Sequence, residues 1–137
     1  MKKEWNKYNL ASAVIAGMNV LSGIVMYFLL DNEIAIQWRG GVPTSIVSKN
    51  YIFLFPLLAV FFFISGKSIL RFVSYKWFKD VKQILVDYFN MFLQIIFVTC
   101  QLYVILYAFG LRITIEGIFF IEIIIGCVFG MKLIKNR

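Results

Sequence analysis

Four long apolar runs divide the chain, at about 10–30, 51–70, 84–110 and 113–131. Each is close to or longer than the roughly 20 residues that an α-helix needs to cross a hydrocarbon core of about 30 Å. The first two runs are separated by 31–50, DNEIAIQWRGGVPTSIVSKN, in which Ile34, Ile36 and Trp38 alternate with other positions and Gly40, Gly41 and Pro43 mark a turn. The second and third are separated by a basic stretch, 67–83, with Lys67, Arg71, Lys76, Lys79 and Lys82 against Asp80. Only Leu111 and Arg112 stand between the last two runs, which predicts a tight turn there. The pattern predicts an all-α integral membrane protein in one domain over 1–137, with four transmembrane helices packed as two antiparallel hairpins.

Charge sets the orientation. Eleven of the fourteen Lys and Arg fall at the amino end (Lys2, Lys3, Lys7), in 67–83, or at the carboxyl end (Lys132, Lys135, Arg137). Only Arg39, Lys49 and Arg112 fall on the opposite side. Basic residues concentrate on the cytoplasmic face, so both termini are expected there, with 31–50 as the outer loop. The first run continues through Tyr27–Leu30 without a small-residue cleavage site, as a retained anchor does.

Composition agrees. Hydrophobic residues make up 61% of the 137 and mean hydropathy is +0.84, above the ~45–50% apolar content of soluble domains. The net charge of +7 is gathered at run ends rather than along one face, which argues against nucleic acid as a partner and for lipid. With no His, imidazole catalysis and His metal sites are excluded. No nucleophile–base pair, phosphate loop or cofactor motif is visible, so catalytic residues, metals and cofactors are expected to be none. Cys100 and Cys127 lie at different depths and are expected to stay free thiols.

Polar residues inside apolar runs are the candidate chemistry. In the third run, Asp87, Asn90, Gln94 and Gln101 recur at steps of 3, 4 and 7, one helical face. Helix rise puts Asn19, Gln94 and Glu122 each about 14–15 Å from the inner end, near the midplane. Gln101 and Glu116 form a second level at roughly 23–26 Å. A carboxylate such as Glu122 costs about 2.5–3.5 kcal/mol on insertion scales unless it is protonated or hydrogen-bonded. Asn19, Gln94, Gln101, Glu116 and Glu122 are therefore a candidate intramembrane polar site, serving as interhelical glue, with Glu122 bonded to Gln94, as a proton- or cation-sensitive centre, or as a polar patch for a partner helix, with solvation near the outer surface the alternative for Glu116. Ser12, Ala13, Ala16, Gly17, Gly23, Gly126 and Gly130 offer positions for close helix approach. Asp87 is expected to pair with Lys82 or Lys79. Trp77, Phe72, Phe78 and Tyr75 among the lysines of 67–83 suit an interfacial helix on anionic lipid, or a docking site for a soluble regulator. Gln37, Trp38 and Arg39 are the candidate binding residues of the outer loop, where Trp and Arg make good anchors. Alternatively Trp38 rests in the interface as an anchor.

One series resembles a known family. An apolar helix is followed by Asp31, then Ile34, Ile36, Gln37 and Trp38, a turn with Gly41 and Pro43, Ser48 and Lys49, and an aromatic helix with an early Pro56. This order, over about 12–64, resembles the amino-terminal membrane domain of SdpI-type bacterial toxin-immunity proteins. Gln37 stands where that family usually carries His, and Thr44–Ser45 where it carries an acid–Gly pair, so His chemistry is not implied here. Full-length members have more spans. The resemblance implies protection against a membrane-active peptide toxin or bacteriocin by binding rather than catalysis. The polar residues leave two alternatives: a small proton-coupled carrier, acting as a homodimer with Glu122 titrating, or a non-catalytic subunit of an exporter.

Overall fold

The structure is a computed structural model that describes residues 6–40, 42–77, 82–111 and 113–135, except for the side chains of Ser74 and Trp77. Expectations for Lys2, Lys3, Gly41, the Trp77 ring, Phe78, Lys79, Asp80, Arg112 and Arg137 fall outside the described residues. Among the described residues there are four α-helices: α1 (Lys7–Leu29), α2 (Leu54–Trp77), α3 (Gln83–Ala108) and α4 (Ile115–Lys135). All four are long and apolar enough to cross a membrane.

The chain is not all-α. Residues 31–50, expected as a loop with a short extended pattern, form an antiparallel hairpin of β1 (Glu33–Arg39) and β2 (Val42–Ser48), followed by a 3₁₀ turn, Lys49–Phe53. The alternation of Ile34, Ile36 and Trp38 drives this. Those three side chains turn toward the helices while Glu33, Gln37 and Arg39 stay exposed. Gly40 takes the positive φ of 58° that closes the turn, a conformation other residues adopt at a cost. Irregular register on both sides of Gln37 bends β1 over the helix ends. The apolar core lies directly beneath, built from Leu30, Ile34, Ile52, Val104 and Ile105.

The helices are inverted in polarity relative to a soluble bundle. On α1 the buried positions are Asn9, Ser12, Ala16, Asn19 and Gly23, spaced 3, 4, 3, 4. Leu10, Val14, Met18 and Leu21 face outward. In lipid, apolar side chains gain nothing by moving inside, while polar ones need partners there. Small residues on α1 let α2 and α3 approach: a Cβ at Gly23 would stand 3.0 Å from the Pro56 ring and 3.5 Å from the Gln101 amide. Gly17, expected among the close-approach positions, points away and would meet nothing within 4 Å.

α4 is the outlying helix. Its apolar window is 11% buried, against 22–28% for the others. Its attachment to α3 is local: the Tyr88 hydroxyl donates to the Gly126 carbonyl at 2.7 Å, and Gly130 faces Tyr88. Nearer the hairpin, the Tyr103 hydroxyl donates to the Ile113 carbonyl.

Candidate functional site

At the hairpin end, β1 holds Gln37, Trp38 and Arg39 over a cavity of about 550 Å³. Its walls are Ile36 and Trp38 of β1, Thr44 of β2, Phe55 of α2, Cys100 of α3, and Ile115 and Phe119 of α4. Trp38 is fixed from below. Its ring meets Tyr103 edge-on at 4.6 Å and Tyr107 at 5.2 Å. The indole N–H is buried without a hydrogen-bond partner among the described residues. Trp38 is therefore a packed wall of the cavity. Arg39 is exposed at the rim and makes no ion pair among the described residues. Glu116, in the first turn of α4, accepts the Gly40 N–H at 3.2 Å and so ties the hairpin tip to α4. Its carboxylate also suits the positive end of the helix dipole.

The five intramembrane polar residues do not form one site. Asn19, Gln94 and Gln101 are fully buried in the seam among α1, α2 and α3. The Gln94 amide donates to the Ala59 carbonyl at 2.8 Å, so the α2 main chain supplies the partner at that depth. Glu122 sits on the other side of α3, where the Thr99 hydroxyl donates to one carboxylate oxygen while the second is buried without a hydrogen-bond partner among the described residues. The expected Glu122–Gln94 bond is not made. Gln94 and Thr99 are five residues apart, about 140° around the helix, so equal depth does not bring α4 to the face that carries Gln94. Glu122 instead lines a lateral groove of about 450 Å³ with Tyr8, Tyr88 and Phe92, and with Lys7 and Lys132 at one end.

Asp87 is also placed differently. It pairs with Lys67 of α2 at 3.1 Å rather than with Lys82. Asn6 and Gln83 donate to it at 2.6 and 2.9 Å, and the Lys67 ammonium also reaches Asn9. Asn6 meanwhile caps α1, accepting from the Tyr8 and Asn9 N–H groups at 3.0 Å each. One carboxylate thus joins the start of α1, the start of α3 and the later part of α2. The sequence put Asp87 on the right face but ranked partners by proximity along the chain. A lysine one helix away reaches it because its aliphatic stem can run along the seam.

Cys100 and Cys127 are both free, as expected, Cys100 half-buried beside the hairpin cavity and Cys127 exposed. Sequence reasoning missed Cys100, Thr44, Phe55 and Phe119 as cavity walls and Thr99 as the partner of Glu122. For Thr99 the available signal was its offset from the Asp87–Gln101 stripe, which places it toward a different neighbour.

No described protein family and no solved structure matches the chain. Among curated proteins it is 37% identical over 60 residues to the immunity protein SdpI of Bacillus subtilis (strain 168). That stretch is 43% of this chain and 29% of SdpI, so the similarity spans well under two thirds of the relative. Within it, this chain is similar to an SdpI-type immunity protein.

Proposed function

We propose that this chain is a multi-pass immunity protein of the bacterial plasma membrane that binds a membrane-active peptide toxin without catalysis. Both termini and the 67–83 stretch lie in the cytoplasm, the spans pair as two antiparallel hairpins, and the β-hairpin cavity faces outward, where a toxin arrives. The similarity to SdpI supports the immunity role. The observation that carries the site is the cavity beneath Gln37, Trp38 and Arg39. Its volume lies within the ~300–1,000 Å³ typical of ligand pockets. Trp38, Phe55 and Phe119 offer apolar walls to large toxin side chains, and Arg39 and Gln37 offer hydrogen-bond donors to peptide carbonyls or a terminal carboxylate.

Expression in a sensitive bacterium should raise the inhibitory concentration of at least one member of a panel of purified membrane-active peptide toxins. Arg39→Ala should lower that protection about tenfold, the equivalent of ~1.4 kcal/mol of binding, with the protein still present in the membrane. Arg39 is exposed and makes no ion pair among the described residues, so misfolding is not the expected cause. Full protection by the variant would remove the cavity as the binding site. No protection by the parent protein against any toxin would remove the immunity reading.

A further inference from the structure

The α1–α2–α3 seam contains eight side-chain atoms that are buried without a hydrogen-bond partner among the described residues: Ser12 Oγ, both amide atoms of Asn19, Asn90 and Gln101, and Gln94 Oε1. Each of these five residues is fully buried. The surrounding bundle surface is apolar, and acyl chains offer no hydrogen bonds. Two contacts fix the relative register. Asn6 meets Asp87, and Gly23 meets Gln101, so positions advance together along α1 and α3. Ser12 then falls near the level of Asn90, and Asn19 falls between Gln94 and Gln101. The orphaned groups form successive levels about one helical turn, ~5.4 Å, apart.

That spacing selects the occupant. Two hydrogen bonds of about 2.8 Å each, meeting at one water oxygen at a roughly tetrahedral angle, span about 4.6 Å, so one bridging water and a small side-chain adjustment cover one turn. The chemistry selects the same molecule. The unpartnered set includes amide oxygens, which accept, and amide NH₂ groups, which donate. A metal cation would satisfy the oxygens and face the NH₂ groups unfavourably. An apolar occupant would satisfy neither. Water satisfies both, and buried waters typically bridge such groups with about three hydrogen bonds. Direct rung-to-rung pairing lacks an α1 partner at Ala16 and Gly23, which alternate with the polar residues and carry no hydrogen-bonding side chain.

We propose that this seam binds a file of ordered water molecules, bridging Ser12, Asn90, Gln94, Asn19 and Gln101 and leading from the Lys67–Asp87 pair to the base of the β-hairpin. The polar faces of α1 and α3 are therefore shaped for a solvent file rather than for dry helix contact. It is independent of the hairpin cavity and stands whether or not a toxin binds there.

Solid-state NMR on the ¹⁵N-labelled protein in phospholipid bilayers tests it by magnetisation transfer from water. Side-chain amides of Asn19, Asn90 and Gln101 should receive water magnetisation as fast as exposed hairpin amides, and at least fivefold faster than lipid-facing backbone amides such as that of Leu21. Transfer no faster than at Leu21, with cross-peaks between the amides of Asn19 and Gln94 or Gln101, would overturn the proposal in favour of direct pairing. In Asn19→Leu, transfer to Gln101 should fall at least twofold while that to Asn90 is retained. Unchanged transfer at Gln101 would show that the waters are not a file. If that variant fails to fold, the parent protein alone still decides between water and direct pairing.

Discussion

Asp87→Ala should lower the stability of the detergent-solubilised protein by about 3 kcal/mol, because it leaves one member of a buried ion pair uncompensated. The Asp87 side chain is 2% exposed and that of Lys67 21%. The ammonium cannot move fully into water without leaving the seam, and its remaining partner, Asn9, is neutral. Asn6 and Gln83 lose their acceptor in the same step, so the start of α1 loosens from α3. The expected fall in melting temperature is on the order of 10 °C. Lys67→Met combined with Asp87→Leu should recover much of the loss, since removing both charges also removes their desolvation cost. Recovery stays incomplete because Asn6, Asn9 and Gln83 keep no ionic partner. A melting temperature for Asp87→Ala equal to that of the parent would show that the pair contributes nothing.

The second large effect is expected at Gly126. A Cβ there would clash with the Phe92 ring of α3, and the neighbouring contact is the Tyr88 bond to the Gly126 carbonyl. Gly126→Val must displace the ring or the helix. Overpacking of this kind typically costs about 1–3 kcal/mol. Because α4 buries the least of the four helices, that is enough to free it from α3. Spin labels at Lys7→Cys and Lys132→Cys, in a background without Cys100 and Cys127, report on the groove that both positions line. Their distance distribution should be narrow in the parent and broader and longer in Gly126→Val. Gly117→Ala is the contrast: its Cβ would meet only Thr114 Oγ, at 3.9 Å, and the distribution should not change. The same distribution in Gly126→Val and the parent would mean that α4 is held by something other than this contact.

Together the two variants probe different parts of one design. Asp87 binds α1, α2 and α3 into a body whose interior is polar, and Gly126 sets how closely α4 approaches it. The hairpin cavity draws on both, since Phe55 and Cys100 come from the three-helix body and Ile115 and Phe119 from α4. Detaching α4 should therefore open the cavity as well as the groove, and, under the immunity function proposed above, protection by Gly126→Val should fall as the spin-label distance grows.

The sequence by itself determined the four helices, because run length against bilayer thickness leaves little choice for so apolar a chain. It also determined that Asn90, Gln94 and Gln101 share one face, since a 3.6-residue period admits no other result. The alternation of Ile34, Ile36 and Trp38 held the strand signal, although a pairing strand, Val42–Ser48, was needed to make it a hairpin. Tertiary structure decided which faces meet. Depth can be counted along one helix, but azimuth between helices depends on where small residues permit approach. Hence Glu122 reaches Thr99 and not Gln94, Asp87 takes Lys67 and not Lys82, and Gly23 rather than Gly17 seats a neighbour. The cavity, too, exists only in three dimensions: it joins residues of β1, β2 and three helices, and no periodicity along one chain can record a distance between segments.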